Sequence, residues 1–182
     1  MSVPQSLLPK ENLWDLRNLA ASTPPGCFVE VGVYKGGSAY QLYEVAALKG
    51  RQLHLFDTFT GIPEKTAIDV CKIGEFKDVS AELVQAAMPD AHLHIGIFPG
   101  TLTDEVKDIA FTHIDCDQHE TCKLAIKLLW ERTIPGGIMA FDDYPLPGIR
   151  KAIDEQLPNI RFSLYGVPYA VKQWNKNIYK QI

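Results

Sequence analysis

Four aspartates sit in two short blocks, Asp115 and Asp117 in HIDCD and Asp142 and Asp143 in AFDDY. Each block closes an apolar run, and between the runs lie an amphipathic helical stretch and the pair Gly136-Gly137, which turns the chain into the second run. Two neighbouring strands would then end in carboxylates on one edge, and in open α/β sheets ligands bind outside the carboxyl ends of the strands. Gathered carboxylates repel, by roughly 4 kcal/mol for two unit charges ~4 Å apart at an effective dielectric near 20. A shared proton, a Lys or Arg, or a divalent cation offsets this. The nearby cations Lys123, Lys127 and Arg132 belong to the departing helix. A divalent cation is the better solution, and all-oxygen ligands select Mg²⁺, Ca²⁺ or Mn²⁺ over zinc. Taken singly, each Asp also has a plainer role: Asp117 can cap the helix that follows, and Asp143 can open the Tyr144-Pro145 turn.

A second group of residues suits a nucleotide-like ligand. Cys27 to Val33 is a β-branched and apolar run interrupted by Glu30, followed by a bend at Gly32, Gly36 and Gly37 and by a helix from Ser38 to about Leu48. Strand, glycine loop and helix form the first unit of a nucleotide-binding fold, in which glycines let backbone approach the ligand and the helix N-terminus adds N–H donors. The next strand, QLHLFD, ends in Asp57, about 20 positions beyond Gly37, where such folds place the carboxylate that holds ribose hydroxyls. From Thr58 to Asp78 the chain has no sustained period, and loops of this length inside compact domains are usually lids or binding loops. Tyr34, Phe59, Phe76 and Tyr144 fall in loops at the same edge as candidate pocket walls. His113 shares a strand face with Asp115 and is a candidate to orient a carboxylate. His119, two residues past Asp117, is a second candidate base.

The elements that must position these residues follow from periodicity and turn chemistry. Helices are expected over 11–21, 79–88 and 148–157, with a strand over 92–97. Thr101 and Asp104 read as a capping box for a short helix to Ile109. RFSLY and YAVKQW about Gly166-Val167-Pro168 predict an antiparallel hairpin at the sheet's edge. The whole is a doubly wound, Rossmann-like α/β fold with a mostly parallel sheet and an antiparallel C-terminal hairpin. With 182 residues the chain fits one domain, 1–182, opened by a helical segment over 1–24. A net charge of -4 without any cluster of Lys and Arg argues against nucleic acid as a partner. No run approaches the ~18 apolar residues of a membrane span, and the N-terminus lacks a signal-peptide pattern. Cys27, Cys71, Cys116 and Cys122 show no C-x-x-C spacing and suit reduced thiols in the cytoplasm.

Five blocks in order, FVEVGVYKGGSA, LFDTFTGIPE, GEFKDVS, HIDCDQHET and PGGIMAFDDYPLPGIRKAIDE, together resemble the macrocin-type (TylF-like) sugar O-methyltransferases, from about Cys27 to Leu157. These are class I S-adenosylmethionine (SAM) enzymes, many of them Mg²⁺-dependent. The resemblance implies SAM against Glu30, Gly32 and Gly36, with Asp57 on the ribose and Tyr34, Ser38, Thr58, Phe76 and Asp115 completing the cofactor site. It implies Mg²⁺ or another divalent cation on Asp115, Asp142 and Asp143. Asp117 would be the general base, with His119 as its alternate, and the acceptor a small hydroxylated molecule such as a sugar. Gln118-His119-Glu120 stands where relatives usually carry an aromatic residue and an acid. Only about 26 residues precede the first strand, fewer than is common in the family, so the acceptor lid is either reduced or supplied by a neighbouring subunit of a homo-oligomer. Two other functions compete. An NAD-linked oxidoreductase is disfavoured by the spacing G-x-x-x-G-G and leaves Asp142-Asp143 without a role; the other is a SAM-binding module without activity.

Overall fold

The computed structural model describes residues 3–174. Its centre is a seven-stranded sheet of order β3-β2-β1-β4-β5-β7-β6, where β1 is Cys27–Val31, β2 Leu53–Asp57, β3 His92–Ile95, β4 Ile109–Ile114, β5 Thr133–Phe141, β6 Arg161–Phe162 and β7 Pro168–Val171. The first five strands pair in parallel, β7 runs antiparallel to β5, and β6 runs antiparallel to β7 at the edge. Strands β1 and β4 are buried from end to end, which is why both read as near-continuous apolar runs.

Helices α1 (Lys10–Ser22), α2 (Gly37–Lys49), α3 (Ala81–Ala87), α4 (His119–Arg132) and α5 (Pro147–Gln156) divide between two hydrophobic cores, one built on α4 and α5 and the other on α1, α2 and α3. The doubly wound architecture is therefore as expected. The strand order reverses between β1 and β4, which places the ligand crevice at their carboxyl ends. No helix among the described residues is long and apolar enough to cross a membrane.

Two local expectations fail. The helix anticipated over 101–109 does not form, because its would-be helical carbonyls are used elsewhere: Arg132 Nη1 donates to the carbonyls of Thr103 and Val106, the latter at 3.0 Å. The Thr101 hydroxyl is buried without a partner, so the capping box is not made. Gly136-Gly137 does not precede the strand but lies inside β5, where the register against β4 shifts and Gly136 takes φ +82° as a bulge. The 58–78 segment contains no helix or strand, as its lack of period implied.

Candidate functional site

A cleft of about 330 Å³ opens at the carboxyl ends of the central strands. Gly32, Val33, Tyr34 and Ser38 form its wall after β1, Asp57 and Thr58 after β2, and Ile97 and Phe98 after β3. Gly61, Ile62, Pro63 and Phe76 come from the aperiodic segment. Asp115, Asp117, Gln118, Asp142 and Asp143 complete it, with the N-terminal residues Gln5 to Pro9 across one side.

The glycine loop is shaped as much by its neighbours as by any ligand. Gly32 has φ +88°, and a Cβ there would lie 1.6 Å from the backbone oxygen of Asp115. This glycine lets β1 approach the acid-bearing turn, whose Asp115 N–H donates to the Val31 carbonyl at 2.8 Å. Gly32→Ala is therefore expected to destabilise the fold by on the order of 3 kcal/mol or more, read as a lowered midpoint in urea unfolding. Asp57 braces the same loop. Its Oδ2 accepts the N–H groups of Val33 and Tyr34 at 2.7 and 2.9 Å, and its Oδ1 accepts that of Phe59 at 2.8 Å. An ionised carboxylate has about four acceptor positions, so one remains for a further donor such as a hydroxyl. Tyr34 stacks edge-on against Phe76 with centroids 5.3 Å apart, and its hydroxyl donates to Asp78 at 3.0 Å, clasping the long segment over the loop.

Five residues expected at the site lie off the cleft wall, two of which, Phe59 and Tyr144, pack against the two hydrophobic cores instead. Glu30 is fully buried within β1, in register with His113 on β4, whose Nδ1 donates to Glu30 Oε1 at 2.7 Å. His113 thus orients Glu30 and not Asp115. Gly36 caps α2 in the left-handed region and faces α3, where a Cβ would stand 3.1 Å from Met88 Cε. His119 opens α4 on the side turned away from the cleft: it is 6 % exposed, and a Cβ on Gly148 would come within 3.2 Å of its own Cβ. Gln118 and Thr121, on the opposite side of that turn, line the cleft instead.

The four aspartates do come together. One oxygen from each of Asp115, Asp117 and Asp143 lies within 4.8 Å of the others, and Asp142 adjoins them on the wall. The converging trio therefore contains Asp117, where the sequence pointed to Asp142. Asp117 and Asp143 both hold positive φ, +58° and +54°, a conformation that costs on the order of 1–3 kcal/mol per residue and clusters at functional sites. Neither caps a helix with its side chain. The turn after Asp143 is closed by its backbone carbonyl, which accepts the Leu146 N–H at 2.8 Å, and α4 receives no side-chain bond from its cap residue Gln118.

Burial, then mutual repulsion, drives the Asp115 carboxyl well above the usual range. Burial is also the first cause for Asp117, Asp142 and Asp143, and Asp143, within hydrogen-bond reach of Asp117, is pushed up to about 7. Among the described residues no Lys or Arg pairs with any of the four. With metal–oxygen bonds of ~2.1 Å, neighbouring ligands around Mg²⁺ stand about 3 Å apart and opposite ones about 4.2 Å. The trio, whose oxygens lie within 4.8 Å of one another, thus needs to contract by up to ~2 Å to hold such an ion. An all-carboxylate set, too rich in negative charge to be ionised alone, fits a hard divalent cation.

Sequence inspection missed Asp69, which supplies the absent cap of α4, and the strap of Gln5 to Pro9. The local T-x-x-D spacing of Thr66 and Asp69 signals a turn, but nothing local signals its contact with a helix 50 positions on.

Comparison with known proteins agrees with this geometry. The model of the family described as macrocin O-methyltransferase (TylF) matches residues 11–161. An 8-demethyl-8-(2,3-dimethoxy-alpha-L-rhamnosyl)-tetracenomycin-C 4'-O-methyltransferase from Streptomyces olivaceus is 28% identical over 159 residues, which cover 77% of this chain and 61% of that protein. The chain thus spans less than two thirds of that relative's length. Among solved structures, the O-methyltransferase NovP superposes with a TM-score of 0.82 at 21% identity, over 93% of this chain and 82% of its own. The calicheamicin methyltransferase CalS11 superposes with a TM-score of 0.74 at 20% identity, over 91% of this chain and 78% of its own. At these identities the structures establish the fold alone, whereas the family model spans most of the chain and includes both aspartate blocks. The chain belongs to the macrocin O-methyltransferase (TylF) family.

Proposed function

We propose that this protein is a SAM-dependent O-methyltransferase that uses Mg²⁺ or a similar cation to methylate a hydroxyl of a small molecule, with a sugar as the favoured acceptor class. The observation that carries the proposal is the convergence of Asp115, Asp117 and Asp143, with Asp142 on the same wall and no Lys or Arg paired with them among the described residues, in the same cleft as the glycine loop. The sugar follows from the Streptomyces relative, whose name specifies a rhamnosyl 4'-O-methyltransferase.

The chain's own residues divide the work. The turn from Gly32 to Tyr34, its own N–H groups taken by Phe56 and Asp57, shapes the wall against the cofactor, the start of α2 at Ser38 offers it backbone N–H groups, and Phe76 and Ile97 exclude water from it. Asp115 and Asp143 form the core of the cation site, and Asp142, already on the wall, completes it. Asp117 is then free to take the acceptor's proton, a role for which its raised pKa suits it. A divalent cation there would lower the pKa of a coordinated hydroxyl and fix its direction. Alignment of the acceptor oxygen with the methyl-bearing sulfur would come from the same walls.

Calorimetry tests the cofactor assignment without an acceptor. SAM or its demethylated product should bind, and Asp57→Ala should weaken binding about tenfold or more, because three N–H donors of the loop lose their acceptor. Tight NADH binding with none for SAM would overturn the proposal.

A further inference from the structure

Three segments meet at one buried carboxylate that the chemistry above does not use. Asp69, in the middle of the 58–78 segment, is 7 % exposed. Its Oδ1 accepts the backbone N–H of His119, the first residue of α4, at 2.7 Å. Its Oδ2 accepts the N–H and the hydroxyl of Thr66 at 2.7 and 2.8 Å. Burial alone would push this carboxyl up, yet the hydrogen bonds from Thr66 and His119 outweigh it and hold its pKa below the ordinary value. A fixed negative charge thus sits at the positive end of α4. On the other side stands Gly148, in the first turn of α5, where a Cβ would lie 3.2 Å from Asp69 Oδ1.

The starts of α4 and α5 follow directly on the turns that carry Asp117 and Asp143. Asp69 therefore touches the point from which each acid-bearing turn is held. A second link runs parallel to it, from Gln118 Nε2 to the carbonyl of Glu64. The segment itself is closed at its neck, with Ile62 N–H donating to the Glu75 carbonyl and Gly74 N–H to the Ile62 carbonyl, both at 2.9 Å. Ile62, Pro63 and Phe76, at that neck, face the cleft.

We infer that Asp69 is a positioning residue that locks the loop wall over 62–76 and the acid-bearing turns over 115–117 and 142–143 into one unit, presetting the carboxylates before any ligand arrives. The task of those carboxylates rests on the function proposed above, whereas the mechanical coupling does not.

Hydrogen exchange followed by mass spectrometry, together with Mg²⁺ calorimetry, tests the lock on the full chain and its Asp69→Ala and Asp69→Asn variants. Asp69→Ala should speed exchange by about tenfold or more in both 62–76 and 115–121, while amides of β1, β4 and β5 keep their parental rates. The Mg²⁺ dissociation constant should rise about 10- to 100-fold, the usual effect of losing a group that holds metal ligands in place. Asp69→Asn keeps an oxygen for the His119 N–H and should fall between. Exchange that rises in 62–76 alone, or throughout the sheet as well, would overturn the inference and leave Asp69 as a loop or fold stabiliser. If the parent ignores Mg²⁺ while the two segments still loosen together, the lock stands and the metal assignment falls.

Discussion

Replacing Asp115 with Asn is expected to stabilise the metal-free protein and at the same time to lower turnover by on the order of 10³. Both effects have one source. Burial, followed by the charges of Asp142, Asp117, Asp143 and Glu30, holds the Asp115 carboxyl well above its ordinary range, so a neutral amide relieves a charge that the fold disfavours. The pH dependence carries the same sign. Burial, first among the causes, pushes the Asp143 carboxyl up to about 7 in the folded chain, from 3.8 for an ordinary aspartate. A folded pKa above the unfolded one gives stability that is complete below the unfolded pKa and is lost as pH rises through the folded one. In chelator, the parent's melting temperature should therefore fall between about pH 4 and 7. Saturating Mg²⁺ should restore it at pH 8 by mass action, by about 4 kcal/mol at 1,000 times the dissociation constant, and should leave Asp115→Asn where it was. A parent indifferent to Mg²⁺ at pH 8, or a variant less stable than the parent in chelator, would mark the four carboxylates as a structural network.

What the sequence disclosed, and what it hid, divides along a physical line. Periodicity and turn chemistry report on local structure, so the α/β alternation, the C-terminal hairpin and the ends of β2, β4 and β5 were all legible, and with them the carboxylates those strands deliver to one edge. Side-chain direction at the start of a helix is not local. His119 and Gln118 are adjacent, yet packing of α4 against α5 at Gly148 turns the first inward and leaves the second on the cleft. Glu30 lies inside a strand, so its partner was set by the β1–β4 register, which pairs it with His113 across 83 positions of chain. The failed helix over 101–109 has the same origin, since Arg132 on a distant helix takes carbonyls that the helix itself would have needed. Asp57 illustrates the reverse case. Its position was legible, but its bonds to Val33 and Tyr34 give it a bracing task that spacing alone does not reveal.

Measurements that separate metal holding from proton removal discriminate between Asp117 and Asp142. Asp117 belongs to the converging trio, so geometry alone allows it to be a ligand. Against this, burial raises its carboxyl above the ordinary aspartate range, although its hydrogen bond with Asp143 works the other way, and a raised carboxyl suits a proton acceptor. Asp117→Asn is expected to leave SAM and Mg²⁺ dissociation constants within a few fold of the parent while turnover falls by on the order of 10² to 10⁴, the usual contribution of a positioned base. The acidic limb of the pH–rate profile should vanish with it, because that limb reports protonation of the group removed. Asp142→Asn should behave in the opposite way, losing Mg²⁺ affinity and recovering part of its turnover at high Mg²⁺. His119→Gln should stay near parental turnover, since the imidazole is buried off the cleft beside Gly148 with its Nδ1 3.0 Å from Glu120. If instead Asp117→Asn loses Mg²⁺ binding in calorimetry and Asp142→Asn keeps it, Asp117 is a ligand, and the base must be sought among the remaining groups that line the cleft.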